Sequence, residues 1–251
     1  IQAGDFGFAG GSITGNRVET DRAGSGIFTD YLSGPIVVSN NVSIVGDVNG
    51  GAGNPTFAFD VYWGDGAFYY HNTAVVTDAT DASSAAFQDQ GGSFAYNVEN
   101  NVFVNLSANG FAYMNEDGSL TGGGGGGTSD YNAYYAPNTD LAEWGFTTAA
   151  DLAALQAANG TDANSVEVDP AFADIATYDA RVCETLLQVA NPLADVTLDI
   201  DSTTRDAATP TAGAYEVSPQ LPASPFLGAD TTLCAGFSET IGVTADPNFT
   251  Y

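Results

Sequence analysis

The stretch Asn72-Thr73-Ala74-Val75-Val76 points to the fold, because its pattern of one asparagine before a short β-prone run recurs along the chain. The other copies begin at Asn16, Asn41, Asn101 and Asn132. Successive asparagines are 25, 31, 29 and 31 residues apart. A period of this size, with one turn and one strand in common, is typical of coils stacked in a solenoid.

Asparagine suits the corner of such a coil. It tolerates the left-handed backbone conformation, and its amide can hydrogen-bond to an identical residue in the next coil. We therefore expect an all-β protein, a parallel β-helix in which the five asparagines form a ladder and apolar side chains form internal stacks. An antiparallel sandwich remains the alternative, because Asp65-Gly66, Asn109-Gly110 and Asp117-Gly118 resemble hairpin turns.

The charge of the chain is strongly acidic. It has 31 acidic residues and only four basic ones, all arginines, which gives a formal net charge of -27. Such a surface repels nucleic acid and anionic membranes. No run of about 18 apolar residues predicts membrane insertion. Two explanations of the acidity stay open, solubility in salty water and calcium binding.

One helix is predicted, over residues 147–158, with Thr147 or Thr148 as its N-cap and Asp151 in its first turn. Its alanines favour helix, and Asn159-Gly160 would end it. We expect Leu152 and Leu155 to attach this helix to one face of the solenoid.

The sequence argues against an enzyme. A polysaccharide lyase needs a strong base, usually lysine or arginine, beside acidic residues. The chain contains no lysine, and Arg17, Arg22 and Arg205 lie away from any recognisable acidic cluster. His71 is its single histidine, and no serine lies in a Gly-x-Ser-x-Gly motif. A carbohydrate-active enzyme remains the alternative function, because acidic residues such as Asp60 and Asp89 could meet on stacked coils.

Aromatic and acidic side chains supply the candidate binding residues. We expect Trp63, Tyr62, Tyr69 and Tyr135 to contact a ligand, and Phe68, Tyr70 and Phe103 to form internal stacks. The candidate calcium ligands are Asp199, Asp201 and Asp117. Alternatively, Arg205 pairs with Asp199 or Asp201 and fastens the last coil. No other cofactor is predicted.

The second half of the chain resembles a known family. Asp199-Ile200-Asp201 is followed by Arg205 and then by Gly213-Ala214-Tyr215-Glu216. Together with residues 98–105, 129–135 and 162–172, this order is similar to the last coils of right-handed parallel β-helix domains of the pectin-lyase-like superfamily, in large secreted bacterial proteins. The resemblance implies a β-helix over residues 1–217 with Arg205 in its closing coil.

The tail resembles something else. After a Pro-rich linker over residues 218–228, residues 229–251 are similar to the first strands of immunoglobulin-like modules in giant surface adhesins of gliding bacteria that use type IX secretion. In such modules Cys234 would pair with a later cysteine, which leaves Cys183 as a separate thiol. A disulfide between Cys183 and Cys234 is the open alternative.

These resemblances imply a structural and adhesive function. The chain would be an extracellular, cell-surface module of a large protein or fibre. Its partners would be glycans or proteins of other cells, neighbouring domains or identical subunits.

Overall fold

The computed structural model describes residues 1–8, 10–47, 53–91, 95–120, 127–182 and 185–217. In these residues the chain forms a parallel β-helix of about five turns. The predicted fold class is confirmed, and the alternative prediction of an antiparallel sandwich is wrong. The linker over 218–228, the immunoglobulin-like segment over 229–251, Cys183 and Cys234 lie outside the described residues.

Each turn of the β-helix contributes to three faces. The first face contains β2 (Gly11–Thr14), the second halves of β4 (Gly24–Ser39) and β6 (Thr56–Tyr70), β9 (Asn97–Glu99) and β12 (Thr128–Asp130). The second face contains β3 (Arg17–Thr20), β5 (Val42–Val45), β7 (Thr73–Val76), β10 (Val102–Asn105), β13 (Ala133–Tyr135) and β16 (Val166–Glu167). The third face contains β1 (Gln2–Phe8), the first halves of β4 and β6, β8 (Ala85–Asp89), β11 (Phe111–Asn115) and β14 (Ala142–Trp144).

Five asparagines form a continuous hydrogen-bonded ladder between the first and second faces. The side-chain Nδ2 of each of the first four donates to Oδ1 of the asparagine in the next turn, at 2.9 Å, 2.9 Å, 3.0 Å and 3.0 Å. The backbone N–H of each also donates to that oxygen, at 2.9 to 3.1 Å. The ladder residues are Asn16, Asn41, Asn72, Asn101 and Asn132.

The residue before each ladder asparagine has a positive φ between 52° and 67°. This left-handed conformation turns the chain sharply from one face to the next, and β-branched residues would be strained there. Glycine, asparagine, histidine and tyrosine occupy the position instead, at Gly15, Asn40, His71, Asn100 and Tyr131.

The chain then returns across the outside of the second face as a segment that we call the strap, residues 169–217. Here the structure differs from the sequence prediction, because residues 199–217 do not form a closing coil. Apart from two short 3-10 helices, Ile175–Thr177 and Thr185–Leu187, the described part of the strap is irregular. Its apolar side chains pack on those of the second face, in a cluster that includes Val42, Ile44, Val75, Val102, Val104, Ala180, Val182, Leu187, Ala212 and Ala214.

Polar contacts attach the strap to the corner of the coils. Arg205 forms a buried salt bridge with Glu216 at 3.3 Å and donates to Oδ1 of Asn40 at 2.7 Å. Asn100 and Asn191 exchange hydrogen bonds of 2.7 and 2.8 Å between the Asn100 side chain and the Asn191 backbone. The expected pairing of Arg205 with Asp199 or Asp201 is therefore replaced by a pairing with Glu216.

The single α-helix, α1 (Leu152–Asn159), begins later than predicted. Thr147–Ala149 forms strand β15, which pairs antiparallel with β14. Asp151 is the N-cap, and its side chain accepts a hydrogen bond from the backbone N–H of Ala154 at 2.8 Å. Aspartate is a better N-cap than threonine, and both candidate threonines are already paired in β15. Gly160 ends the helix in the left-handed conformation, and Leu155 is fully buried in the main core.

The interior is filled by aromatic rings in register. Phe59, Phe87, Tyr113 and Trp144 stack along the third face with centroid separations of 6.4, 5.6 and 6.3 Å. Phe103 enters the same stack from the second face, 5.1 Å from Phe87. Each turn therefore adds one layer of aromatic side chains to a core that runs along the solenoid axis.

Replacing Asn72 with alanine tests the ladder. The change leaves the backbone N–H of Asn41 and the carbonyl of Val38 without their partners. Because each unsatisfied buried group costs about 1–3 kcal/mol, we expect the free energy of unfolding to fall by roughly 3 kcal/mol in urea titrations. The control is Asn138→Ala, at an exposed asparagine that donates to Leu106. Equal losses in the two variants would contradict a special role of the ladder.

The pH dependence of stability tests how the strap is held. His71 is buried, with Nδ1 3.2 Å from the carbonyl of Thr211 and Nε2 2.9 Å from the amide of Asn100. Burial, followed by the charge of Arg205, lowers the pKa of His71 well below its usual 6.5. The unfolded chain therefore binds a proton that the folded protein excludes, so this contribution to stability is lost as pH falls below about 6.5.

We expect the free energy of unfolding to fall more steeply between about pH 7.5 and about pH 5.5 in the native protein than in His71→Gln. Urea titrations at several pH values measure both slopes. An unchanged slope in the variant would contradict the assignment to His71.

Candidate functional site

Three aromatic side chains meet at the corner between the third and first faces. Tyr31 lies at the bend of β4, and Tyr62 and Trp63 lie at the bend of β6 in the next turn. The Tyr31 ring centroid is 5.5 Å from that of Tyr62 and 5.3 Å from that of Trp63, and the last two are 6.1 Å apart. We call this group the aromatic corner.

The aromatic corner is accessible. Trp63 is 38% exposed, while Tyr31 and Tyr62 are partly exposed. Tyr31 and Trp63 have φ values of +48° and +55°, a conformation that costs a bulky residue about 1–2 kcal/mol. Desolvation, followed by a hydrogen bond to Tyr62, raises the pKa of Tyr31. The arrangement keeps the apolar faces of the rings exposed to solvent, where the flat face of a ligand can stack on them.

Sequence reasoning identified Tyr62 and Trp63 but missed Tyr31. Strand register pairs Asp30 with Tyr62 and Leu32 with Gly64, so Tyr31 lies opposite Trp63. The 31-residue step between Asn41 and Asn72 is the signal that could have found Tyr31, because it places Tyr31 in the preceding turn at the same corner.

A row of carboxyl groups runs along the third face from turn to turn, and its first member, Asp60, lies two residues before Tyr62 of the aromatic corner. Asp60 is 5% exposed and accepts hydrogen bonds of 2.6 Å from Ser25 and from Gln90. Burial raises the pKa of Asp60, and it also raises the pKa values of Glu116 and Glu143.

The other two predicted contact residues lie elsewhere. Tyr69 is fully buried and its hydroxyl contacts that of Thr29 at 2.8 Å, so its prediction as a contact residue is wrong. Its neighbours Phe68 and Tyr70, predicted to be internal, are partly exposed. Tyr135 is half-buried on the second face and packs against the cluster beneath the strap.

The candidate calcium ligands are not brought together. Asp117 follows the third face, whereas Asp199 and Asp201 belong to the strap. Asp199 accepts backbone hydrogen bonds from Asp201 and Thr203 through one oxygen and from Glu216 through the other. In the described part of the chain no group of three or more acidic, histidine or cysteine side chains could hold a metal ion.

Two further titratable side chains are buried and hydrogen-bonded inside the fold. His71 is buried between the coil corner and the strap. Asp89 is fully buried, accepts from the Tyr96 hydroxyl at 2.6 Å and receives a second hydrogen bond from Asn115 at 3.1 Å. Neither side chain can reach a substrate at the surface, so neither supports a catalytic site.

Comparison with protein-family models, with curated proteins and with solved structures gives no match to this chain. None of the helices in the described residues has the length and apolar character needed to cross a membrane.

Tryptophan fluorescence tests the geometry of the aromatic corner. The chain has two tryptophans, and Trp144 is 8% exposed and stacks on Tyr113, whereas Trp63 is 38% exposed. We expect Trp144→Phe, which retains Trp63, to emit at longer wavelength and to be quenched strongly by acrylamide. Trp63→Phe should emit at shorter wavelength and resist quenching. Equal quenching of the two variants would contradict the exposed corner.

Proposed function

We propose that the chain is a non-catalytic, ligand-binding module of an extracellular surface protein, and that the aromatic corner binds carbohydrate. The observation that carries the proposal is the contact of three aromatic rings from two successive turns at an exposed corner. Flat aromatic rings pack against the apolar faces of sugar rings, and neighbouring polar groups can hydrogen-bond to sugar hydroxyls.

The scaffold supports such a function. Tyr31 and Trp63 lie between paired positions of β4 and β6, because Asp30 pairs with Tyr62 before them and Leu32 pairs with Gly64 after them. A site built on paired strands holds its rings without the ordering cost that a mobile loop would pay on binding. The solenoid thus presents a rigid contact surface at its side.

The charge of the chain favours a neutral glycan. With a formal net charge of -27 and carboxyl groups beside the aromatic corner, a polyuronate or sulfated chain would be repelled. Glu116 and Glu143 can instead accept hydrogen bonds from the hydroxyl groups of an uncharged sugar.

The cellular setting is part of the same proposal. The resemblance of the chain to β-helix domains of large secreted proteins, and of its tail to immunoglobulin-like modules of surface adhesins, supports an extracellular location and a role in attachment. Cell-surface glycans or identical subunits would then be the partners. The acidic surface would attract calcium ions, but the proposed carbohydrate binding does not require calcium.

A carbohydrate-active enzyme is the second candidate. The raised pKa values of Asp60, Glu116 and Glu143 favour it, because a glycosidase needs one protonated and one ionised carboxyl group. Hydrogen bonds from Ser25 and Gln90 occupy Asp60, however, which supports a structural role for that carboxyl group.

Affinity electrophoresis in gels containing neutral polysaccharides (laminarin, xylan or galactomannan) tests the proposal, with polygalacturonate as the acidic comparison. We expect at least one neutral polysaccharide to retard the protein, and Trp63→Ala to weaken that binding by about tenfold or more, equivalent to about 1.4 kcal/mol. Phe146→Ala is the matched control. Phe146 is also an exposed aromatic residue with positive φ, 78% exposed, but lies outside the aromatic corner.

Equal effects of the two substitutions, or retardation by polygalacturonate alone, would contradict the proposal. Release of reducing ends from a bound polysaccharide, abolished in Glu116→Gln or Glu143→Gln, would replace it with the enzyme. Binding without cleavage supports the non-catalytic module.

A further inference from the structure

A cavity of about 400 Å³ lies between β3 and the strap, away from the aromatic corner. Its volume falls within the range of about 300–1,000 Å³ found for small-molecule sites. Charged side chains and one buried tyrosine line it, among them Arg17, Glu19, Asp179, Arg181, Asp201 and Tyr215.

The cavity concentrates the rare positive charges of the protein. The chain has four basic residues and 31 acidic ones, and two of the four, Arg17 and Arg181, face this one cavity. Their side chains are 43% and 52% exposed, so their guanidinium groups are accessible to a ligand. On so acidic a surface, this placement points to recognition of a negatively charged group.

A simple anion nevertheless does not match the cavity. Arg17 pairs with Glu19 at 3.4 Å, and Arg181 forms a bidentate pair with Asp179. Asp201 is exposed, and its carboxylate has no arginine partner among the described residues. Two positive and three negative groups leave a lining charge of -1. A ligand that offers both signs would complement this lining better than one that offers a single charge.

Tyr215 supplies an independent indication of a ligand. It is 3% exposed, and its hydroxyl has no hydrogen-bond partner among the described residues although the side chain lines the cavity. A buried hydroxyl without a partner destabilises the fold, and a ligand that accepts its hydrogen bond would remove that cost. The guanidinium of Arg17 lies 5.7 Å from the centre of the Tyr215 ring. Burial raises the pKa of Tyr215 to about 12, so the hydroxyl stays protonated and can donate.

We propose that this cavity binds a small zwitterion of the amino-acid class, with the ligand carboxylate held by Arg17 and Arg181 and the ligand ammonium group held by Asp201. The Tyr215 hydroxyl donates a further hydrogen bond to the ligand. Because the cavity is formed by the strap and the first turn together, the bound ligand also ties the strap to the solenoid.

Isothermal titration calorimetry of the 251-residue chain tests this site. The probes are L-serine, acetate, which carries only the carboxylate, and ethylammonium, which carries only the positive charge. We expect L-serine to bind at least about tenfold more tightly than either of the other two, a difference of about 1.4 kcal/mol. Equal affinity for acetate, or no heat with L-serine at about 10 mM, well above a millimolar Kd, would overturn the proposal.

Three substitutions assign the residues. We expect Asp201→Asn and Arg181→Gln each to weaken L-serine binding by about tenfold or more, because each removes a charge that the zwitterion pairs with. Arg22→Gln is the charge-matched control, at an exposed arginine outside the cavity, and should leave binding unchanged. Equal losses in Arg22→Gln and Arg181→Gln would overturn the assignment.

Tyr215→Phe separates binding from structure. Removing a buried hydroxyl that has no protein partner should leave the melting temperature unchanged or raise it, while L-serine binding weakens severalfold. A lower melting temperature with unchanged binding would overturn the role of the Tyr215 hydroxyl.

Discussion

Five successive coils turn from the first face to the second around an asparagine, buried in all but the first, and hydrogen bonds between these asparagines determine how one coil lies on the next. Each Oδ1 accepts both the backbone and the side-chain N–H groups of the asparagine one turn earlier. Side-chain Nδ2 groups also reach back to carbonyls of the preceding turn, as Asn72 does to Val38. Because buried polar groups without partners are costly, a slip of one residue would break many of these bonds together.

The register that the asparagine ladder sets also positions the aromatic side chains inside and outside the coils. With the register set at one corner, Phe59, Phe87 and Tyr113 fall into line inside, and Tyr31 meets Trp63 outside. The strap covers the outer side of the second face. The strands of this face, such as Val42–Val45 and Thr73–Val76, are therefore buried on both sides. Continuous rather than alternating apolar character is what parallel strands covered on both faces require.

Much of this could be predicted from the sequence, because the asparagine repeat carries the fold. The same repeat holds information that sequence reasoning did not use. Three residues before the ladder asparagines stand Ile13, Val38, Tyr69, Val98 and Ser129, and strand register places Val38, Tyr69 and Val98 in one column whose side chains are buried. This column would have predicted that Tyr69 is internal. The strap could not be predicted, because its apolar residues follow no period and depend on tertiary packing, and the pairing of Arg205 with Glu216 follows from that packing.

Hydrogen exchange followed by NMR tests the central claim most directly, because the ladder uses the backbone N–H groups of Asn41, Asn72 and Asn101 as donors to buried side-chain oxygens. If the ladder determines the stacking of the coils, these three amides exchange as slowly as the central amides of β7 and β10, through global unfolding. Exchange at the rate of amides in exposed turns would contradict the account, since the corner would then open without disturbing the coils.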